Sequence, residues 1–181
     1  MKDNVCTICG SNLNILYLNK NPKNSNSVNI LKCKNCDHKF QQDYDKEYVD
    51  EYYSYYKDLI NKNREDIFSY ENKISYKKIF RVFENHINKY NLEKSILDVG
   101  SGYGELVNYA NENKWKATGI ELSKDALKIA NKYNINIKNL SIEDNYFKDK
   151  KYSIITLTEV IEHVDEPNKL IFDLSNLLTS N

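Results

Sequence analysis

Three groups of side chains in this chain have the types and spacing for chemistry. The first is a cysteine quartet, Cys6-x2-Cys9 and Cys33-x2-Cys36, which holds all four cysteines of the chain. Two residues between cysteines let both sulfurs turn toward one point, and two such knuckles supply a tetrahedral thiolate set for zinc. Four protein thiolates leave no open position on the metal, so the expected role is structural. The second is "ILDVGSGYGELV", where Asp98 is followed by Gly100, Gly102 and Gly104 at alternate positions. Such a loop lets backbone approach a nucleotide-like ligand, although a tight turn with no ligand uses the same residues. The third is "TEVIEHV", with Glu159, Glu162 and His163 as candidate proton carriers. His163 has the unperturbed pKa nearest neutrality. The plainer alternative is that these three orient backbone or cap a helix.

The elements that must position these groups can be read from pattern. Between the knuckles, "NLNILYL" and "VNILKC" read as two short strands around a polar turn, so residues 1–42 form a zinc ribbon. Disulfides would need an oxidising compartment, which nothing else in the sequence supports. A redox pair would set one CxxC at a helix start after a strand. Residues 43–70 lack Gly and Pro and are rich in tyrosine; Tyr44, Tyr48, Tyr52, Tyr55 and Leu59 share one helical face. That connector either packs its rings on the next domain or acts as a lid. Glu71 to Tyr90 reads as a second helix, with Tyr76, Ile79, Phe80, Phe83, Ile87 and Tyr90 on one side. From Ser95 strands and helices alternate: "SILDVG", "GELVNYANENK", "KATGIEL", "SKDALKIANKY" capped by Ser123, "INIKNL", "YSIITLTEV" and "EPNKLIFDLSNLL". Alternation of this kind implies an α/β fold with a doubly wound parallel sheet over residues 71–181 and a ligand at the carboxyl ends of its strands.

The pattern is G-x-G-x-G, with Glu105 where the dinucleotide fingerprint has its third glycine. A carboxylate in the first turn of that helix would repel a pyrophosphate, so the loop favours a ligand without phosphates. "ILDVGSGYGELV", with "GIELS" about twenty residues on, resembles the cofactor site of class I S-adenosylmethionine (SAM)-dependent methyltransferases over residues 71–178. The resemblance implies that Gly100, Gly102 and Gly104 approach the amino-acid part of SAM and that Asp98 stands near its ammonium group. It implies ribose hydroxyls on Glu121, adenine beside Leu122, and further adenine contacts from Ser141 and Ile142. An oxygen, nitrogen or carbon acceptor would need a base, for which Glu159, Glu162 and His163 are the candidates.

"TEVIEHV" also resembles the E-x-x-E-H stretch of ubiquinone-pathway O-methyltransferases and small-RNA 2′-O-methyltransferases, some of which hold a divalent metal there. The RNA group needs a further histidine, which this chain lacks. Lys plus Arg and Asp plus Glu number 26 each, so no net field recruits nucleic acid or an anionic membrane. Zinc ribbon, tyrosine-rich connector ("DEYYSYY") and core together resemble zinc-ribbon sugar C-methyltransferases, which implies a small-molecule or nucleotide-linked sugar acceptor. That layout makes a SAM-dependent methyltransferase the favoured reading. A non-catalytic zinc- and SAM-binding module, or a partner subunit, is the alternative.

The sequence has no membrane span and no apolar secretory core, so a cytoplasmic protein is expected. The full class I sheet has seven strands, and "NLLTSN" falls where a turn into the fifth would begin. The expectation is a sheet of four strands, incomplete toward the C-terminus, whose fourth strand offers an open edge to a second copy or a partner chain.

Overall fold

In the computed structural model the described residues are 5–6, 8–20, 27–41, 55–68, 70–164 and 166–179. The N-terminal module is a three-stranded antiparallel sheet of β1 (Leu13–Lys20), β2 (Ser27–Cys33) and β3 (Lys39–Gln41), in that order. β1 and β2 pair from Leu13↔Cys33 to Lys20↔Ser27, with an irregularity between Ile15 and Tyr17. β3 is an addition to the sequence reading. Three residues carry no periodic signal; the strand exists because Asp37, at φ 58°, turns the chain back beside β2.

The second sheet is parallel, built from β4 (Ser95–Val99), β5 (Lys116–Ile120), β6 (Ile137–Lys138) and β7 (Ile154–Leu157) in the order β6-β5-β4-β7. Its helices are α1 (Arg64–Ile67), α2 (Tyr70–Tyr90), α3 (Glu105–Glu112), α4 (Lys124–Lys132) and α5 (Pro167–Ser175). The central strand, β4, is buried at every residue, as a strand covered on both faces must be. Its side chains alternate. Ile96 joins a core with Phe80, Ile87, Val107, Ala110, Trp115 and Ile129, whereas Leu97 and Val99 join Phe147, Tyr152 and Leu174 on the other side. Asp98 shares the Ile96 parity and faces the α2–α3 side. Ser123 caps α4 by accepting from the Ala126 amide at 3.3 Å, and α2 ends where Asn91 takes φ 52°.

Two helical faces differ from the sequence expectation. On α2, Phe80 and Ile87 are buried and Tyr76 and Phe83 half-buried, but Ile79 and Tyr90 are exposed. In the connector, Tyr44, Tyr48 and Tyr52 lie outside the described residues. Helical residues 55–59 bury Tyr56 and Leu59 and leave Tyr55 exposed. Leu59 is buried as expected, but the inward ring is Tyr56, 100° round the helix from Tyr55.

The edge of β7 is not wholly open. Tyr152 forms a parallel bridge with Leu178; its N–H donates to Leu177 O at 2.8 Å and its carbonyl accepts from Thr179 N at 3.0 Å. Among the described residues no helix is long and apolar enough to cross a membrane.

Candidate functional site

Parallel pairing sets Val99 beside Ile120, so the loops that follow β4 and β5 meet at one end of the sheet. The Gly100 and Ser101 amides both donate to Ile120 O at 3.0 Å, which folds the glycine loop back over β5. Gly119 makes room for this: a Cβ there would lie 2.5 Å from Ser101 Oγ. Gly104 opens α3 at φ 87°, and a Cβ would sit 2.4 Å from Ile137 Cδ1. At Gly100 the obstruction would be Val160 Cγ2, also at 2.4 Å, so the segment after β7 runs against the loop. Gly102 differs from both. Its Cβ position is bounded by a polar atom, the Tyr56 hydroxyl, at 3.0 Å.

Glu121 ties the two motifs into one site. Its Oε2 accepts from the Gly102 amide at 2.9 Å, and its Oε1 accepts from the Leu122 and Ser123 amides at 2.8 Å each. A carboxylate offers about four acceptor places. Three are used, which leaves one on Oε2 for a ligand hydroxyl. Asp98, at the end of β4, is 5% exposed and accepts from Thr156 Oγ1 at 2.7 Å. Burial pushes its carboxyl up to about 6; Thr156 opposes that rise and the Glu121 charge adds to it. Glu105 Oε2 accepts from Tyr76 Oη at 3.4 Å and Tyr103 Oη at 3.3 Å. Both phenols are held well above their usual range, first by burial and then by the Glu105 charge.

The other candidates lie around this centre. Leu122 is 66% exposed beside Glu121. Ser141 is exposed and Ile142 half-buried against the second core, in a segment joined to the site by Asn139 Nδ2, which donates to Glu121 O at 2.9 Å. Glu159 (φ 56°), Glu162 and His163 are exposed, the last two on a single 3-10 turn, Ile161–His163. Glu159 adjoins Val160, the residue packed against Gly100, and the His163 amide donates to Val160 O at 2.9 Å. Among the described residues the one cluster of metal-ligating groups is the cysteine quartet, so these three do not converge on a common point.

All four cysteine sulfurs lie within 4.8 Å of one another. Cys6–Cys36 and Cys9–Cys33 are separated by 3.7 and 3.4 Å. A tetrahedron with 2.3 Å metal–sulfur bonds has edges of about 3.8 Å. Hydrogen bonds from Ser11 lower the Cys9 thiol to about 5. Asn168 Nδ2 donates to Ile8 O at 3.0 Å, which links the first knuckle to α5.

Sequence reasoning missed Tyr56, Tyr76, Tyr103, Thr156, Ser101, Gly119 and Asn139 as parts of the site. Helical periodicity hinted at two of them: it set Tyr76 on the packing side of its helix and fell one residue away from Tyr56 in the connector.

A family model described as a methyltransferase domain matches residues 55–181. A ubiquinone biosynthesis O-methyltransferase of Glaesserella parasuis is 35% identical over 97 residues, a match covering 47% of this chain and 41% of the relative. The plantazolicin methyltransferase BamL, solved with a triazolic desmethylPZN analog and SAH, is similar at 25% identity and TM-score 0.52, over 70% of this chain and 47% of that one. Its counterpart BpumL, with a monoazolic analog and SAH, shares the fold at 21% identity and TM-score 0.55, over 73% of this chain and 51% of the other. This chain therefore spans about half or less of the length of the proteins it matches.

Proposed function

The chain belongs to the methyltransferase domain family, and on that premise we propose that it methylates a small-molecule or sugar-like acceptor with SAM as donor. The observation that carries this reading is the hydrogen bond from the Gly102 amide to Glu121, which brings the glycine loop and the acid after β5 into one cradle. The cradle offers groups that suit SAM: narrow backbone at Gly100 and Gly104, a buried carboxylate to accept from an ammonium, and a remaining acceptor place for a ribose hydroxyl. Leu122, Ser141 and Ile142 are the proposed adenine contacts. SAM, when bound, supplies an activated sulfonium methyl. The task left to the protein is to align the acceptor and to take its proton.

His163 is the proposed base, with Glu159 and Glu162 as the neighbouring carboxylates. Their exposure favours one second reading, a non-catalytic zinc- and SAM-binding module. The four cysteines are proposed to hold one structural zinc, a role their near-tetrahedral sulfur spacing supports. The edge of β7 beyond the Tyr152–Leu178 bridge is the proposed place for pairing with a second copy or a partner chain.

Calorimetric titration of the zinc-loaded chain with SAM, SAH and NAD tests the cofactor. SAM and SAH should bind and NAD should not, since Glu105 in the first turn of α3 disfavours a pyrophosphate. Release of SAH in the presence of acceptor extracts, and its loss in His163→Ala, then separates an enzyme from a binding module. Tight SAM binding with no turnover selects the second reading.

A further inference from the structure

Among the acids of the cradle Asp98 is the one nearly closed off from water, at 5% exposed. Burial penalises its charged form, and the Glu121 charge adds to that penalty. Among the described residues no cation pairs with Asp98 to offset either effect. A carboxyl group in such a place takes up a proton unless a donor holds it as the anion.

Strand pairing supplies that donor. β4 and β7 run parallel with Asp98 directly beside Thr156, so the two side chains stand on the same face of the sheet. A threonine hydroxyl has one proton to give. Two acceptors lie in reach, Asp98 Oδ1 at 2.7 Å and Leu97 O at 3.4 Å. The proton serves the shorter contact, which is also the one to a charged acceptor. Valine would fill the same β-branched place in the strand, so β structure alone does not call for the hydroxyl.

We infer that Thr156 is a positioning residue for cofactor binding: by donating to Oδ1 it fixes the Asp98 carboxylate and leaves Oδ2 to accept from the cofactor's ammonium. The inference rests on the SAM reading above. In this arrangement Thr156 acts through Asp98 and not by contact with the cofactor. Its hydroxyl is the group that opposes the upward push of burial on the Asp98 carboxyl. Glu121 after β5, Tyr76 on α2 and Glu105 in α3 are the other titratable groups round this acid; Tyr76 donates to Glu105 and feels the Asp98 charge. All three are common to wild type and to any variant at position 156.

The test follows two pH midpoints in wild type, Thr156→Val and Thr156→Ser. One is the titration of the Asp98 carboxyl in the ligand-free chain, read by carbon-13 NMR. The other is the pH at which SAH affinity, from calorimetry between pH 5 and 8, reaches half its plateau. Loss of a hydrogen bond to a charged group predicts that both midpoints rise by about one pH unit in Thr156→Val. The SAH Kd would then be raised about fivefold at pH 6 and less than about twofold at pH 8. Thr156→Ser keeps the hydroxyl and should keep both midpoints at their wild-type values. Weakening by the same factor at every pH, with the midpoints unmoved, would make Thr156 a packing residue only and overturn the inference. So would a valine variant indistinguishable from wild type. Should Thr156→Val unfold, Thr156→Ala takes its place, since it also lacks the hydroxyl. A wild type that binds SAH equally from pH 5 to 8 while its Asp98 titrates would instead overturn the ammonium reading of Asp98. No SAH binding at any pH would overturn the cofactor reading itself, and the inference falls with either.

Discussion

Asp98 couples the site to pH because its carboxyl is held at about 6 by burial. In its protonated form it offers no charge to an ammonium. SAM affinity should therefore rise with pH through about 6 and level off above 7, a gain of about tenfold from pH 5 to pH 7. The linkage for the ligand-free chain has the opposite sense. Its folded form keeps a proton that the unfolded form has released, so this group's contribution to stability falls as pH rises from 3.8 to about 6. Titration calorimetry from pH 5 to 8 and thermal unfolding from pH 3.5 to 7, on wild type and Asp98→Asn, check the two effects in turn. A pH profile that survives the substitution would assign the effect to another group. At Gly104 the constraint is steric, since φ is 87° and Ile137 Cδ1 would lie 2.4 Å from a Cβ. Gly104→Ala should cost about 1–3 kcal/mol in thermal or denaturant unfolding, from the left-handed strain together with the clash.

At the scale of elements, residues 55–68 behave as a strap laid over α3 and α4. Arg64 anchors it through Asn108 and through its stack on Phe68 and Tyr133. Arg64→Ala should lower global stability by only about 1 kcal/mol, because the side chain is partly exposed. It should, however, speed hydrogen exchange across 55–68 while the β4 amides stay protected. If β4 loosens equally, the strap is part of the core's cooperative unit and not a separate one. The regular elements here were legible because each is coded by its own few residues, such as the buried run 95–99 and the Ser123 cap. β3 and the inward ring of the strap were not. A three-residue strand depends on its partner, and a helix phase depends on what it packs against.

Across the whole molecule, the ribbon and the parallel core should respond separately to metal removal. Some forty residues bury too little to fold alone, so the cysteine quartet should carry one zinc per chain, measurable by elemental analysis. Chelation should disorder the ribbon and leave the β4–β7 sheet folded, read as a small loss of β signal with a preserved core transition. A single cooperative collapse of both would mean that the Asn168–Ile8 contact and its neighbours bind the modules into one unit. What the sequence by itself determined was the chemistry available and its local setting: cysteine pairs two residues apart, a glycine loop after a buried strand, an acid after the next one. These are encoded by neighbours along the chain. Tertiary structure alone decided that Glu121 reaches the Gly102 amide, that Val160 closes on Gly100 and that the Tyr56 hydroxyl meets Gly102. Those contacts join residues far apart in sequence. Their distances are fixed by strand order in the sheet and by which face of each helix finds apolar cover, and neither is written in any short stretch of residues.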